Sequence, residues 1–153
     1  MREYPLVDEV GLELAAPFIN DYCKRWQLPV HADGIEEVTW LGAWYRAGLR
    51  AVAGYRTIND EFPDDLYVYG FYGDGSKWQN SALYAVGRAL CRLPYGLIGA
   101  VHLPNTRMIK MALRCGFEIK KIDPGADRIA IMWSPKGASR MTWDIATHGM
   151  VSA

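Results

Sequence analysis

The chain has 153 residues, 50% of them apolar and 22% charged, and its 17 basic and 17 acidic side chains leave no formal net charge at pH 7. That length suffices for one domain, 1–153, whose core needs neither disulfides nor metal. A neutral chain projects no general field toward polyanions, so nucleic acid and anionic membrane surfaces are not expected partners.

Cys23, Cys91 and Cys115 lie far apart, each inside an apolar helical pattern, and read as small buried hydrophobes. His31, His102 and His148 show no metal-ligand spacing with them, so no metal is expected. The longest apolar runs are strand-sized, which predicts no membrane span, and reduced cysteines suit a cytoplasm.

In chain order, Arg2–Val7 reads as a first strand and Asp8 as the cap of a helix. Leu12, Ala15, Ala16, Ile19, Tyr22, Cys23 and Trp26 then recur at helical spacing up to Pro29. Pro17 interrupts that pattern and predicts a kink or a later start. His31–Glu37 is polar and reads as a loop. Val38–Tyr45 and Leu49–Thr57, split by Arg46-Ala47-Gly48, predict a β-hairpin. Asn59–Asp65 is an acidic loop holding Asp60, Glu61, Asp64 and Asp65, for which a solvated surface is the better reading than attraction of a cationic ligand.

Leu66–Tyr72 is aromatic and suits a strand. Gly73–Gly75 ends it, and a helix with Ala82, Leu83, Val86, Leu90 and Leu93 inward runs to Pro94. Leu97–Leu103 is a branched apolar strand stopped by Pro104. Asn105 or Thr106 caps the next helix, which has Met108, Ile109, Ala112 and Cys115 on one face. Gly116 ends that helix and Phe117 packs back. Phe117–Asp123 and Arg128–Ser134 are the last strands, joined by Asp123-Pro124-Gly125. Residues 136–153 show no clear period, and a docked tail or a contact with a second subunit of a homodimer both fit. The class is α/β (α+β), with flanking helices on a mixed, largely antiparallel sheet of about seven strands.

This order, with the run Asn105-Thr106-Arg107-Met108-Ile109-Lys110-Met111-Ala112-Leu113-Arg114-Cys115-Gly116-Phe117, resembles the GNAT superfamily of N-acetyltransferases. The hairpin strand with Val52-Ala53-Gly54-Tyr55 is a second, weaker point of resemblance. The resemblance implies an acyl-CoA N-acyltransferase-like fold whose parallel strands near 66–72 and 97–103 splay around acetyl-CoA as co-substrate. It implies that the pantetheine arm pairs with backbone at Gly70, Phe71 and Tyr72. The pyrophosphate would lie at the start of the following helix, where N–H groups and the dipole favour anions. A small-molecule or peptide amine would attack the thioester directly.

Relatives place glycines in the phosphate loop where this chain has Ser76, Trp78 and Asn80, within Gly75-Ser76-Lys77-Trp78-Gln79-Asn80. Lys77 offers phosphate a point charge, and Trp78 is the residue hardest to fit. Gly73-Asp74-Gly75 is an alternative cradle, although Asp74 would repel phosphate. Ala112 occupies the usual general-acid tyrosine position and has no proton to give. Tyr72 and His102 are the catalytic candidates, with Tyr69 and Tyr84 as further substitutes. Asn105 reads equally as ligand contact and helix cap, and Arg107 as a partner for the 3′-phosphate or an exposed cation.

Two functions follow. One is an acetyl-CoA-dependent N-acyltransferase in the cytoplasm of a cell or phage-infected host. The other is a non-catalytic GNAT-fold binding or structural protein, such as a phage virion-associated protein, with a degraded phosphate loop.

Overall fold

A computed structural model of the protein describes residues 4–27, 37–57, 65–93, 96–102, 105–123 and 129–134. The expectations for His31, Asp60, Glu61, Asp64, His148, the 124–128 turn and the 136–153 tail lie outside these residues. The elements run β1 (Leu6–Val10), α1 (Leu12–Trp26), β2 (Thr39–Tyr45), β3 (Gly48–Thr57), β4 (Asp65–Gly73), α2 (Gln79–Cys91), β5 (Gly96–His102), α3 (Thr106–Cys115), β6 (Glu118–Asp123) and β7 (Ile129–Ser134). Strands follow the hydrogen-bonded order β1-β2-β3-β4-β5-β7-β6. Two compact units divide the chain, one of Met1–Arg56 with Tyr69–Ala89 and one of Thr57–Val68 with Leu90–Ala153.

In the first unit, β1 pairs antiparallel with β2 from Leu6↔Trp44 to Val10↔Trp40. This pairing moves the first strand beyond the expected Arg2–Val7, so Asp8 lies within the strand and caps nothing. Gly11 takes the N-cap position without a side-chain bond, and the N–H groups of Leu14 and Ala15 reach its carbonyl. Helix α1 then runs through Pro17 rather than starting after it. Proline there forgoes a bond to the Glu13 carbonyl and costs roughly 3 kcal/mol. Burial of Ala15, Ile19 and Cys23 in one cluster with Trp40 and Val52 offsets that cost. The same burial pushes the Cys23 thiol pKa up, which keeps it protonated and inert.

Strands β2 and β3 form the expected hairpin, but its turn is tighter than the glycine suggested. Tyr45 pairs with Gly48, so only Arg46 and Ala47 turn the chain. Both have positive φ, 53° and 59°, as a two-residue type I′ turn requires. Because a Cβ is costly in that region, Ala47→Gly is expected to stabilise the protein by about 0.5–1 kcal/mol. Thermal melting checks this, and a lower Tm would contradict it.

In the second unit, β4 pairs parallel with β5 from Asp65↔Gly96 to Val68↔Gly99. Strand β5 pairs antiparallel with β7 along its whole length, Leu97↔Ser134 to His102↔Ile129, and β6 closes on the other side of β7. Among the described residues, Leu66, Leu90, Leu97, Met111, Ala112, Cys115 and Phe117 are buried there. On α3 the inward set shifts from expectation. Met111 is buried while Met108 and Ile109 are only half covered. Gly116 takes φ 112°, and the Phe117 N–H returns to the Ala112 carbonyl at 3.1 Å, closing the helix as the Gly-Phe pair predicts. Among the described residues no helix is long and apolar enough to cross a membrane.

Candidate cofactor site

Eight of the residues expected to hold cofactor are nearly consecutive and fall in the first unit. Gly70, Phe71 and Tyr72 lie in β4, Ser76, Lys77 and Trp78 in the turn after it, and Gln79 and Asn80 open α2. Gly70 gives its neighbour room. The Tyr72 ring folds back over it, and a Cβ at Gly70 would lie 2.6 Å from the ring Cζ. Tyr72 in turn meets Tyr22 edge-on, with centroids 4.9 Å apart, and lies 6.4 Å from Trp40. This candidate acid is thus part of an aromatic cluster that also holds Tyr69, 5.9 Å from Trp40. Trp40 is 2% exposed, and its Nε1 is a buried donor with no acceptor among the described residues.

The turn 74–78 uses its own side chains where relatives are expected to use glycine backbone. The Gly75 N–H donates to Gln79 Oε1 at 2.8 Å, the Ser76 N–H to Asp74 Oδ1 at 2.9 Å, and the Trp78 N–H to Ser76 Oγ at 3.3 Å. Gln79 is buried to reach inward, and Gly73 leaves room for it, since a Cβ there would collide with Gln79 Oε1. Gly75 has φ 82°, the left-handed conformation that lets the chain leave the strand and enter the helix.

Arg50, on β3, organises this turn, and sequence reasoning passed over it. Its Nε donates to the Tyr45 carbonyl at 3.0 Å, its Nη2 to the Arg46 carbonyl at 2.8 Å, and its Nη1 to Asp74 Oδ2 at 3.2 Å. The Asp74 N–H bonds back to the Arg50 carbonyl at 2.9 Å. Arg50 and Asp74 side chains are 19% and 18% exposed, so solvent screens this pair far less than an open surface pair. The Arg50 guanidinium also lies 4.5 Å from the Trp78 ring centre, with Lys77 Nζ at 5.0 Å. A large aromatic in a loop needs something to lie against, and two cations meet that need. The one signal in the sequence was a lone arginine in the otherwise uncharged stretch Gly48–Tyr55.

The remaining candidates belong to the second unit. His102 ends β5, where its backbone pairs with Ile129. Asn105 is the N-cap of α3, its Oδ1 accepting from the Met108 N–H at 3.3 Å. Arg107 is exposed on the first turn of that helix, as are Lys110 and Arg114 further along. Ala112 is buried, so the position where the resemblance implies an acid is part of the core. Among the described residues no three His, Cys, Asp or Glu side chains are grouped to hold a metal.

In sequence the chain matches no family model and no curated protein. In structure it is similar to solved acetyltransferases. A *Bacillus subtilis* acetyltransferase in complex with CoA is 10% identical, with 84% of this chain and 97% of that one covered at a TM-score of 0.58. The ribosomal-protein-S18-alanine N-acetyltransferase of *Escherichia coli* is 14% identical, with coverages of 88% and 96% and a TM-score of 0.57. The aminoglycoside 6′-N-acetyltransferase of *Enterococcus faecium* is 10% identical, with coverages of 88% and 98% and a TM-score of 0.59. The fold is therefore that of the GNAT acetyltransferases.

Proposed function

We propose that this single domain is an acetyl-CoA-dependent N-acyltransferase that transfers an acetyl group to a small-molecule or peptide amine by direct attack. One observation carries the reading. Strand β4 leads through the turn 74–78 straight into the N-terminus of α2, beside two cations, Arg50 and Lys77. A helix N-terminus with flanking cations favours a pyrophosphate. Backbone at Gly70–Tyr72 takes the pantetheine arm. Ser76, Lys77, Trp78, Gln79 and Asn80 surround the pyrophosphate; Asn105 and Arg107 are the candidate CoA contacts of the second unit. With alanine at position 112, Tyr72 or His102 handles the proton that leaves the amine or returns to the thiolate.

The shared fold supports this reading, as do the CoA held by the *B. subtilis* neighbour and the amine acceptors named for the other two. Thermal-shift titration with acetyl-CoA and CoA tests it. Tm is expected to rise once ligand exceeds its Kd, because a ligand that binds only the native state stabilises it by mass action. No shift at millimolar ligand would overturn the enzyme reading and leave the non-catalytic alternative. Where binding is seen, thiol release over a panel of amines identifies the acceptor.

A further inference from the structure

The acetyltransferase reading uses Arg50 as one of two cations and gives no role to Asp74, its ion-pair partner on the turn assigned to pyrophosphate. Arg50 is anchored independently of Asp74. Two of its three guanidinium hydrogen bonds go to the Tyr45 and Arg46 carbonyls of the hairpin turn, and its face lies on Trp78. Asp74, by contrast, uses both carboxylate oxygens on groups that suit an anion: Oδ1 takes the Ser76 N–H and Oδ2 takes Arg50. A carboxylate and a phosphate oxygen ask for the same partners, a backbone N–H and a planar guanidinium. Two anions cannot share them without strong repulsion at this degree of burial.

We propose that Asp74 is an internal competitor for the pyrophosphate of CoA, and that binding exchanges the Asp74 carboxylate for a phosphate oxygen on Arg50 and the Ser76 N–H. Arg50 is then a phosphate-binding residue with a fixed charge, and Asp74 is the latch that sets how tightly the cofactor is held. This rests on the acetyl-CoA reading. It goes beyond that reading in giving the loop's own carboxylate a regulatory role over affinity.

The test is calorimetric titration of the full chain with acetyl-CoA, 3′-dephospho-CoA and S-acetylpantetheine. The proteins are wild type, Asp74→Asn, Asp74→Ser and the Arg50→Met/Asp74→Asn double variant. Asparagine keeps an oxygen for the Ser76 N–H and removes the charge; serine serves if the asparagine variant folds poorly. Neutralising Asp74 is expected to tighten acetyl-CoA and 3′-dephospho-CoA at least tenfold. S-acetylpantetheine, which carries no phosphate, is expected to stay unchanged, and the double variant to lose the gain. A purely structural Asp74 would leave affinity equal or weaker when neutralised, and either result overturns the latch. So would an equal gain for S-acetylpantetheine, or a gain that survives loss of Arg50. If wild type binds and the Asp74 variants bind no tighter, the latch alone fails. If neither wild type nor variants bind acetyl-CoA at millimolar concentration, the acetyltransferase reading fails with it.

Discussion

Arg50→Ala is expected to lower stability by about 3 kcal/mol, a fall in Tm of roughly 6–12 °C for a chain of this size. The substitution removes the donor from three acceptors at once: the part-buried Tyr45 carbonyl, the exposed Arg46 carbonyl and the Asp74 carboxylate, which is 18% exposed and keeps only its bond from the Ser76 N–H. It also removes one of the two cations from the Trp78 ring. Lysine is expected to rescue little, since one ammonium on a flexible stem cannot reproduce a planar fork holding three oxygens. The double variant Arg50→Ala/Asp74→Asn is expected to recover part of the loss, because the uncompensated carboxylate is gone. Denaturant melts of the four proteins check this. A loss under about 1 kcal/mol for Arg50→Ala would match an ordinary surface pair and contradict the anchoring role.

Trp40→Ala is expected to cost about 3–5 kcal/mol, the range for removing a large buried aromatic. Trp40 packs in the cluster of Ala15, Ile19, Cys23 and Val52, and its ring also covers Gly54 across the hairpin, where a Cβ would meet Cζ3 at 2.8 Å. No side chain at Gly54 can fill the space that alanine leaves. Tyr69 and Tyr72 each lose a ring contact, Tyr72 keeping Tyr22, so near-ultraviolet circular dichroism should weaken along with stability. Trp40→Phe is expected to be far milder, because it deletes the indole N–H that has no acceptor among the described residues and that costs about 1–3 kcal/mol where it is. Equal destabilisation by phenylalanine and alanine would contradict this.

Much of α2 and α3 was legible in the sequence because their signals are local. Ala82, Leu83, Val86 and Leu90 fall on one helical face by spacing alone, and all four are buried. Asn105 and Gly116 bracket α3 by side-chain oxygen and left-handed backbone, properties a residue carries with it. The start of β1 was not legible, because partner strand β2 decides which residues are extended. At Pro17 the later start that the sequence allowed is not taken for the same reason: local cost was readable, but the compensating burial of Ala15, Ile19 and Cys23 was not. In the site, the order of Gly70 to Asn80 could be read, whereas the role of Arg50, which lies 24 residues from Asp74, could not.

By itself, then, the sequence determined the alternation of elements, the inner face of α2 and both caps of α3. These follow from periodicity and intrinsic backbone preference, which act over a few residues. Only the tertiary structure decided that β7 lies between β5 and β6, that Arg46 and Ala47 carry the hairpin turn, and that Asp74 faces a cation. Strand order and ion pairing depend on contacts between residues distant in the chain, and for those no local pattern exists to be read.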